Sequence, residues 1–405
     1  MTRAAGTATE TRFVAFVRST VGGLPRACWV LWGGILVNRV GFVVQPFLAY
    51  YLTGVRGLSV TATGLVISGC GLGMVCAQLV GGTMADRVGR RPTVVFSTVA
   101  NAVVLLLLGS TGSPVLLVVL TFLFGLTLDM YRPASTAMIA DLVPPQDRAR
   151  AYGVSFWAVN LGFSLAMILG GLLTRAGFTL LFWLDAVTSV LFGVLVWRAV
   201  PETRKRPEPG VRVAGAFRVI SKDWLALAFV GLIFAQALVY MQSFTTFPLA
   251  MRLNGLPASV YGIVIALNGV LIIALQPVVG AWVARWDHSY GLAASAVVLG
   301  LGFGLNTVAH TAWQYALAVA VWTMGEILSA GTALAVITAL APPHLRGRYS
   351  GMFGLAYSVA WLVAPIGGSW LLSLGVPVLW LTCAAVCAAA AAGQLLLGPA
   401  VRRRG

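Results

Sequence analysis

The chain has 405 residues, of which 59% are hydrophobic and only 9% charged, with a mean hydropathy of +0.91. A soluble domain, with roughly a quarter of its residues charged, is excluded. The formal net charge of +16 would suit a nucleic-acid partner, but the arginines are scattered over short loops and no aromatic-rich basic face gathers them, which argues against that role.

The first segment, 1–27, is no cleavable signal, because Arg3, Arg12, Arg18 and Arg26 interrupt its apolar runs. Phe13, Phe16 and Val17 fall at helical spacing and predict an amphipathic helix lying in the membrane interface. Twelve apolar stretches follow, near 28–52, 59–84, 92–110, 114–140, 151–174, 178–199, 223–250, 258–283, 290–309, 312–341, 350–373 and 376–398. Each is about the 20 residues that a helix needs to cross roughly 30 Å of hydrocarbon. Spanning strands would alternate in polarity, and these stretches do not. The fold class is therefore an all-α membrane protein with 12 transmembrane helices in two six-helix bundles, 28–199 and 223–398. A cytoplasmic linker, 200–222, joins the bundles, and a basic tail, 399–405, closes the chain.

The loops alternate between basic and nearly neutral. Arg87, Arg90, Arg91, Arg148, Arg150, Arg285, Arg346, Arg348 and Arg402 to Arg404 share a side with the linker, while Arg56, Arg175 and Arg252 lie opposite. The positive-inside bias predicts a multi-pass protein of the cell (inner or plasma) membrane, with both termini cytoplasmic. The halves also repeat at an offset of 198 residues: Gly64 falls on Gly262, Gln78 on Gln276, Gly82 on Gly280, Arg87 on Arg285, and Pro144-Pro145 with Arg148, Arg150 and Gly153 on Pro342-Pro343 with Arg346, Arg348 and Gly351. Six spans per half make these parallel repeats, with a binding site expected between them near the midplane.

The run Gly-Gly-Thr-Met-Ala-Asp-Arg-Val-Gly-Arg-Arg-Pro at 81–92 turns the second stretch into the third. At its defining positions, Gly82, Asp86, Arg87, Gly89, Arg90 and Arg91, it resembles the signature loop of the major facilitator superfamily, and with the two six-helix halves and basic linker the resemblance covers essentially the whole chain. In the second half the signature has decayed, with Ala284 and Asp287 at the places of Asp86 and Gly89. The resemblance implies that Asp86 faces the start of span 11, near Tyr349, and locks the cytoplasmic side while the outer side is open. Asp141, at the end of span 4, is a candidate partner for Arg90 or Arg91.

Span 5 carries Gly162, Ala166, Gly170 and Gly171, a stripe of small residues that lets backbones approach closely. It resembles in part the glycine-rich span-5 motif of the 12-span drug:proton antiporters, with Ala166-Met167 in place of the family's Gly-Pro. Thr121 stands where those antiporters often carry an arginine.

Eleven acidic residues make each intramembrane carboxylate informative, since an ionised group at mid-helix costs about 2.5–3.5 kcal/mol on insertion scales. Asp129 and Arg132 lie three apart on one face and can pair. Glu326 has no cation near it in sequence, which favours it as the proton carrier, with Asp129/Arg132 as a switchable pair and Arg39 at similar depth. Asp185, on span 6, reads as structural. The resemblance places spans 1, 4, 7 and 10 around a central cavity, for which Asn38, Gln45, Tyr131, Gln236, Tyr240, Gln242, Trp322, Tyr357 and Trp361 are candidate lining residues; a cavity so rich in rings and poor in charge suits a small lipophilic substrate.

No cofactor is expected: Gly-x-x-x-x-Gly-Lys-Ser/Thr does not occur, so the proton gradient is the energy source. Cys28, Cys70, Cys76, Cys383 and Cys387 lie in or beside apolar spans, and His288, His310 and His344 form no cluster, so neither disulfides nor a metal site is expected. The function that these features predict is proton-coupled efflux of hydrophobic, drug-like compounds by a monomeric antiporter in contact with membrane lipid. A proton symporter importing a nutrient and a lipid flippase of the same fold are the alternatives; an enzyme would need a catalytic constellation that the chain lacks.

Overall fold

Short, capped connections set the order of the helices. Ser59 caps span 2 by accepting the Ala62 N–H at 3.2 Å. The hairpin from span 2 into span 3 is closed by Gly89, whose φ of +126° strains any residue with a Cβ. Thr311 and Gln314 form a reciprocal capping box at the start of span 10. In this computed structural model the described residues are 25–144, 147–203, 221–283, 285–342 and 345–404. Most of the segment 1–27 with its amphipathic reading, His344, and linker residues 204–220 lie outside them.

Among the described residues, twelve helical spans are long and apolar enough to cross a membrane: Arg26–Gly54, Val60–Arg87, Arg90–Ser110, Pro114–Leu142, Arg150–Leu173, Thr179–Ala199, Trp224–Phe244, Ala258–Val283, His288–Leu305, Ala312–Leu340, Arg348–Leu374 and Val376–Arg404. They are numbered 1 to 12 below. Span 12 absorbs the expected tail: its helix runs through Pro399 to Arg404, where Arg404 pairs with Asp223 and Arg402 with Asp287.

Three spans expected to be continuous are broken. Span 1 consists of helices Arg26–Val40 and Val44–Gly54. Span 7 runs through a 3₁₀ turn, Met241–Phe244, and the helix Thr246–Leu253 then extends it. The repeat offset carries the span 1 break, 41–43, onto 239–241, where the span 7 turn begins, so both halves interrupt the same helix. Span 10 breaks between Ser329 and Thr332, with Gly331 at φ +80°. Each break frees backbone groups that need partners in hydrocarbon. In span 1 the Asp185 carboxylate accepts the Val44 N–H at 3.4 Å, which explains this buried acid as structural. In span 7 the buried Gln242 amide donates to the carbonyls of Leu238 and Ala364, both at 3.1 Å, and accepts from Thr246 Oγ1 at 2.7 Å. Gln242 is therefore a brace for the break and not the cavity residue expected from sequence.

Glycines report how the halves meet. An added Cβ at Gly71 of span 2 would strike the Trp361 carbonyl of span 11, and one at Gly262 of span 8 would strike the Met167 carbonyl of span 5. Both contacts cross between halves, on the side away from the termini. Nearer the termini, Gly82, Gly351 and Gly354 of spans 2 and 11, and Gly153 and Gly280 of spans 5 and 8, meet nothing within 4 Å. The packed core divides in the same way. One cluster joins Phe47, Tyr50 and Met167 of the first half to Phe247, Leu249 and Tyr261 of the second. Toward the terminal face the halves have separate clusters, one around Leu31, Met138 and Phe192, the other around Phe229, Ile337 and Tyr349. The halves are thus closed at the face opposite the termini and open at the terminal face.

Candidate transport site

Span 4 lies against span 2 because Gly125 brings its backbone onto the Cys70 carbonyl, where no Cβ would fit. That approach aligns Asp129 with Gln78 of span 2, whose amide donates to one carboxylate oxygen, while Arg132 Nε sits 3.0 Å from the other. Asp129 is 6% exposed by side chain and Arg132 is 54% exposed, so the pair is held inward by the acid and reaches open space through the guanidinium. The Asp129/Arg132 pairing read from their spacing is present. Gln78 was missed as a partner; it stood out in the sequence only as a repeat match.

The second half places Glu326 where spans 7, 8 and 10 meet. Its Oε1 accepts from the Tyr240 hydroxyl at 3.2 Å and its Oε2 from Asn268 Nδ2 at 2.8 Å. Asn268 also donates to Thr323 Oγ1, at 3.0 Å, which fixes the amide. Glu326 is half-buried, and no cation is bonded to it among the described residues. Asn268 was not foreseen, since a lone asparagine in span 8 carries no local signal.

An aromatic wall adjoins this carboxylate. Tyr240 meets Phe244 at 6.1 Å between ring centres, Phe244 meets Trp361 at 5.1 Å, and Phe163 of the first half meets Phe244 at 6.1 Å. Tyr240 and Trp361 are half-buried and Tyr357 is exposed, so these three expected lining residues border open space. Five others do not. Trp322 is buried against Phe303 and Phe247. Tyr131 packs edge-on against Phe192 at 5.4 Å and accepts from Arg39 Nη2 at 3.2 Å. Asn38 turns away to Ser189 of span 6, and Gln45 and Gln236 are buried. Helical phase alone could not separate these, because their burial is set by neighbours on other helices, such as Ser189 for Asn38 and Phe192 for Tyr131. Arg39 also lies over the Phe42 ring, 5.1 Å from its centre, and joins neither carboxylate by an ion pair.

The small-residue stripe of span 5 serves two neighbours. An added Cβ at Gly162 would sit 2.5 Å from Arg39 Cβ, and one at Gly170 2.6 Å from the Phe47 ring, both on span 1. Gly171 faces Gly262 of span 8 across the halves, and Ala166 is fully buried.

At the terminal face, Arg90 pairs with Asp141 and also donates to the Ala137 carbonyl at 3.0 Å, which brings the ends of spans 3 and 4 together. Arg91 stacks on Trp197 at 4.2 Å. Glu202, past the end of span 6, accepts the Arg90 and Arg91 N–H groups at 3.1 and 3.0 Å and caps span 3, a contact that sequence reading missed. Gly82 meets open space, and Asp86 and Arg87 are exposed. Among the described residues Asp86 has no hydrogen bond or ion pair, so the contact with span 11 is not made in this state. Tyr349, near which it was expected, donates instead to Asp223 Oδ2 of its own half at 2.6 Å.

A family model described as the Major Facilitator Superfamily matches residues 31–365 and 232–404. The chain belongs to this superfamily. It is similar to a Na(+), Li(+), K(+)/H(+) antiporter of Planococcus maritimus, 29% identical over 370 residues, which cover 83% of this chain and 87% of that one. It is also similar to the multidrug resistance protein MdtH of Yersinia pestis (strain Pestoides F), 25% identical over 362 residues, with 86% of each chain covered. Among solved structures, a mutant of a peptide transporter, POT, in complex with sulfate matches with a TM-score of 0.78 at 17% identity, covering 95% of this chain and 97% of that one. The nucleoside transporter NupG matches with a TM-score of 0.76 at 13% identity, covering 94% of this chain and all of that one. The solved structures establish the fold, and membership of the superfamily makes the chain a secondary transporter, not an enzyme.

Proposed function

We propose that this transporter exports lipophilic, drug-like compounds in exchange for protons, by rocking two six-helix halves about the central site. The observation that carries the reading is Glu326: a half-buried intramembrane carboxylate held by the neutral donors Tyr240 and Asn268, beside an aromatic wall built from both halves. With no cation to neutralise it, this acid gains or loses a proton as the site changes its exposure, and its charged form suits a cationic substrate stacked on the rings. The Asp129/Arg132 pair acts as the switch in the other half. Asp86, unpaired here, engages span 11 when the terminal face closes. The loop charges support a cell-membrane protein with cytoplasmic termini, so that the state described opens to the cytoplasm; we take the transporter to act as a monomer. A membrane potential adds about 2.3 kcal/mol per net charge per 100 mV.

The Planococcus relative favours a second reading, in which the exported cation is an alkali ion bound at the same carboxylate. One experiment separates the readings. Purified protein in proteoliposomes receives a pH gradient and, in turn, lipophilic cations, neutral drugs, Na⁺ and K⁺, while internal pH and substrate are followed for wild type and Glu326→Gln. Opposed fluxes that the variant abolishes support antiport through Glu326, and the active member of the panel names the substrate class. Parallel fluxes make the protein an importer, and substrate movement without protons points to facilitated diffusion or lipid flipping.

A further inference from the structure

Three arginines lie on the face opposite the termini, and one of them is bonded within the protein. Arg56 donates to the Tyr51 hydroxyl at 2.8 Å and to the Gly109 carbonyl at 3.0 Å, both within its own half. Arg175 and Arg252 have no hydrogen bond or ion pair among the described residues. They line one cavity of about 410 Å³ between the ends of spans 5 and 1 and the start of span 8, Arg175 from the first half and Arg252 from the second. Arg252 reaches across the divide, its Nη1 lying against Gly54 of span 1. The Tyr50 hydroxyl donates to the Leu256 carbonyl at 3.0 Å and ties the halves together at the same cavity.

Two exposed guanidiniums thus line one cavity, and no described carboxylate is there to offset them. The described carboxylates lie at the terminal face or within the spans, and none is on this face. The cavity offers donors besides. Ser259, 4% exposed, lines it with a hydroxyl that no hydrogen bond occupies. The N–H groups of Ala258 and Ser259 begin the 26-residue helix of span 8 and have no partner within it. Planar, always-charged forks beside free amides match an oxyanion with several acceptor oxygens.

We propose that Arg175, Arg252 and Ser259 form a site for a phosphate-class oxyanion that bridges the halves and holds this face closed. Opening the face would carry Arg175 and Arg252 apart with their halves, so the anion binds the closed arrangement more tightly and shifts the population toward it. The oxyanion is either free inorganic phosphate or the phosphodiester of an anionic lipid headgroup. The site does not depend on what the central cavity carries, so the two readings fail separately.

The test measures thermal unfolding of the purified full chain in neutral detergent, with inorganic phosphate exchanged for chloride at constant ionic strength. In parallel, the protein is placed in phosphatidylcholine nanodiscs with and without phosphatidylglycerol, free of phosphate. A saturable rise in the melting temperature with phosphate identifies the free ion; a rise with phosphatidylglycerol alone identifies the headgroup. In either arm, Arg175→Gln and Arg252→Gln should weaken the response roughly tenfold or more, while Arg56→Gln leaves it intact. No response of the wild type in either arm overturns the site, as does an equal response to chloride or in the Arg175→Gln/Arg252→Gln double variant.

Discussion

Gly262→Ala should open the face that this structure holds closed. Its new Cβ would collide with the Met167 carbonyl and stand 2.9 Å from Gly171 Cα and 3.1 Å from Phe47 Cζ, all in the opposite half. Carbon atoms pack best near 3.5–4.0 Å, so spans 5 and 8 must part, and overpacking of this kind costs about 1–3 kcal/mol. The contact exists only in the closed arrangement. The ratio of closed to open forms therefore falls by a factor of about 5 to 150, and an open population of about 1% would rise to between about 5% and 60%. The gain in helix propensity from alanine acts on both forms and cancels from the ratio. Spin labels at Ser113→Cys and Val308→Cys, on the same face in opposite halves, read the change in a background without the native cysteines: the longer-distance component should grow. Gly125→Ala is the control, because its Cβ meets the Cys70 carbonyl of the same half. It should lower the melting temperature and leave the distance distribution alone. An unchanged distribution for Gly262→Ala would refute the reasoning that the halves separate at this contact.

Glu326→Gln should keep the protein inserted and folded while removing the pH dependence of substrate movement, read in proteoliposomes; retained proton flux would move the coupling to Asp129. Asp86→Asn should slow net transport yet leave the melting temperature unchanged, because Asp86 has no partner in the present state and acts only when the terminal face closes. Burial works to raise the Asp223 carboxyl, but the hydrogen bonds from Arg404, Tyr349 and the Ala226 N–H prevail and hold it below the ordinary aspartate value. A lowered folded-state value means that its stabilisation is present above the unfolded-state value and is lost as pH falls through the folded one. The melting-temperature advantage of wild type over Asp223→Asn should thus stay constant from neutral pH to about pH 5 and vanish only below about pH 4, a titration that melting curves across pH would show.

The sequence by itself determined the membrane class, the twelve spans, the duplication and the tight hairpin at Gly89, because these follow from hydropathy, loop charge and local backbone demands. It also carried the pairs that are near in sequence or repeat the family signature, Asp129 with Arg132 and Arg90 with Asp141. Only the tertiary structure decided which polar residues face open space. Asn38, Gln45, Gln236 and Trp322 occupy helix positions that look no different from those of Tyr240 and Trp361. At the breaks, 41–43 and 241–245, the freed backbone engages Asp185, which read as structural from the start, and recruits Gln242 from the pool of apparent cavity residues. The partners of Glu326, the cap from Glu202 and the clasp of Arg404 on Asp223 join residues 58 to 181 positions apart. No local preference encodes such pairs; they form because a buried or desolvated polar group must find whatever donor the packed helices bring to it.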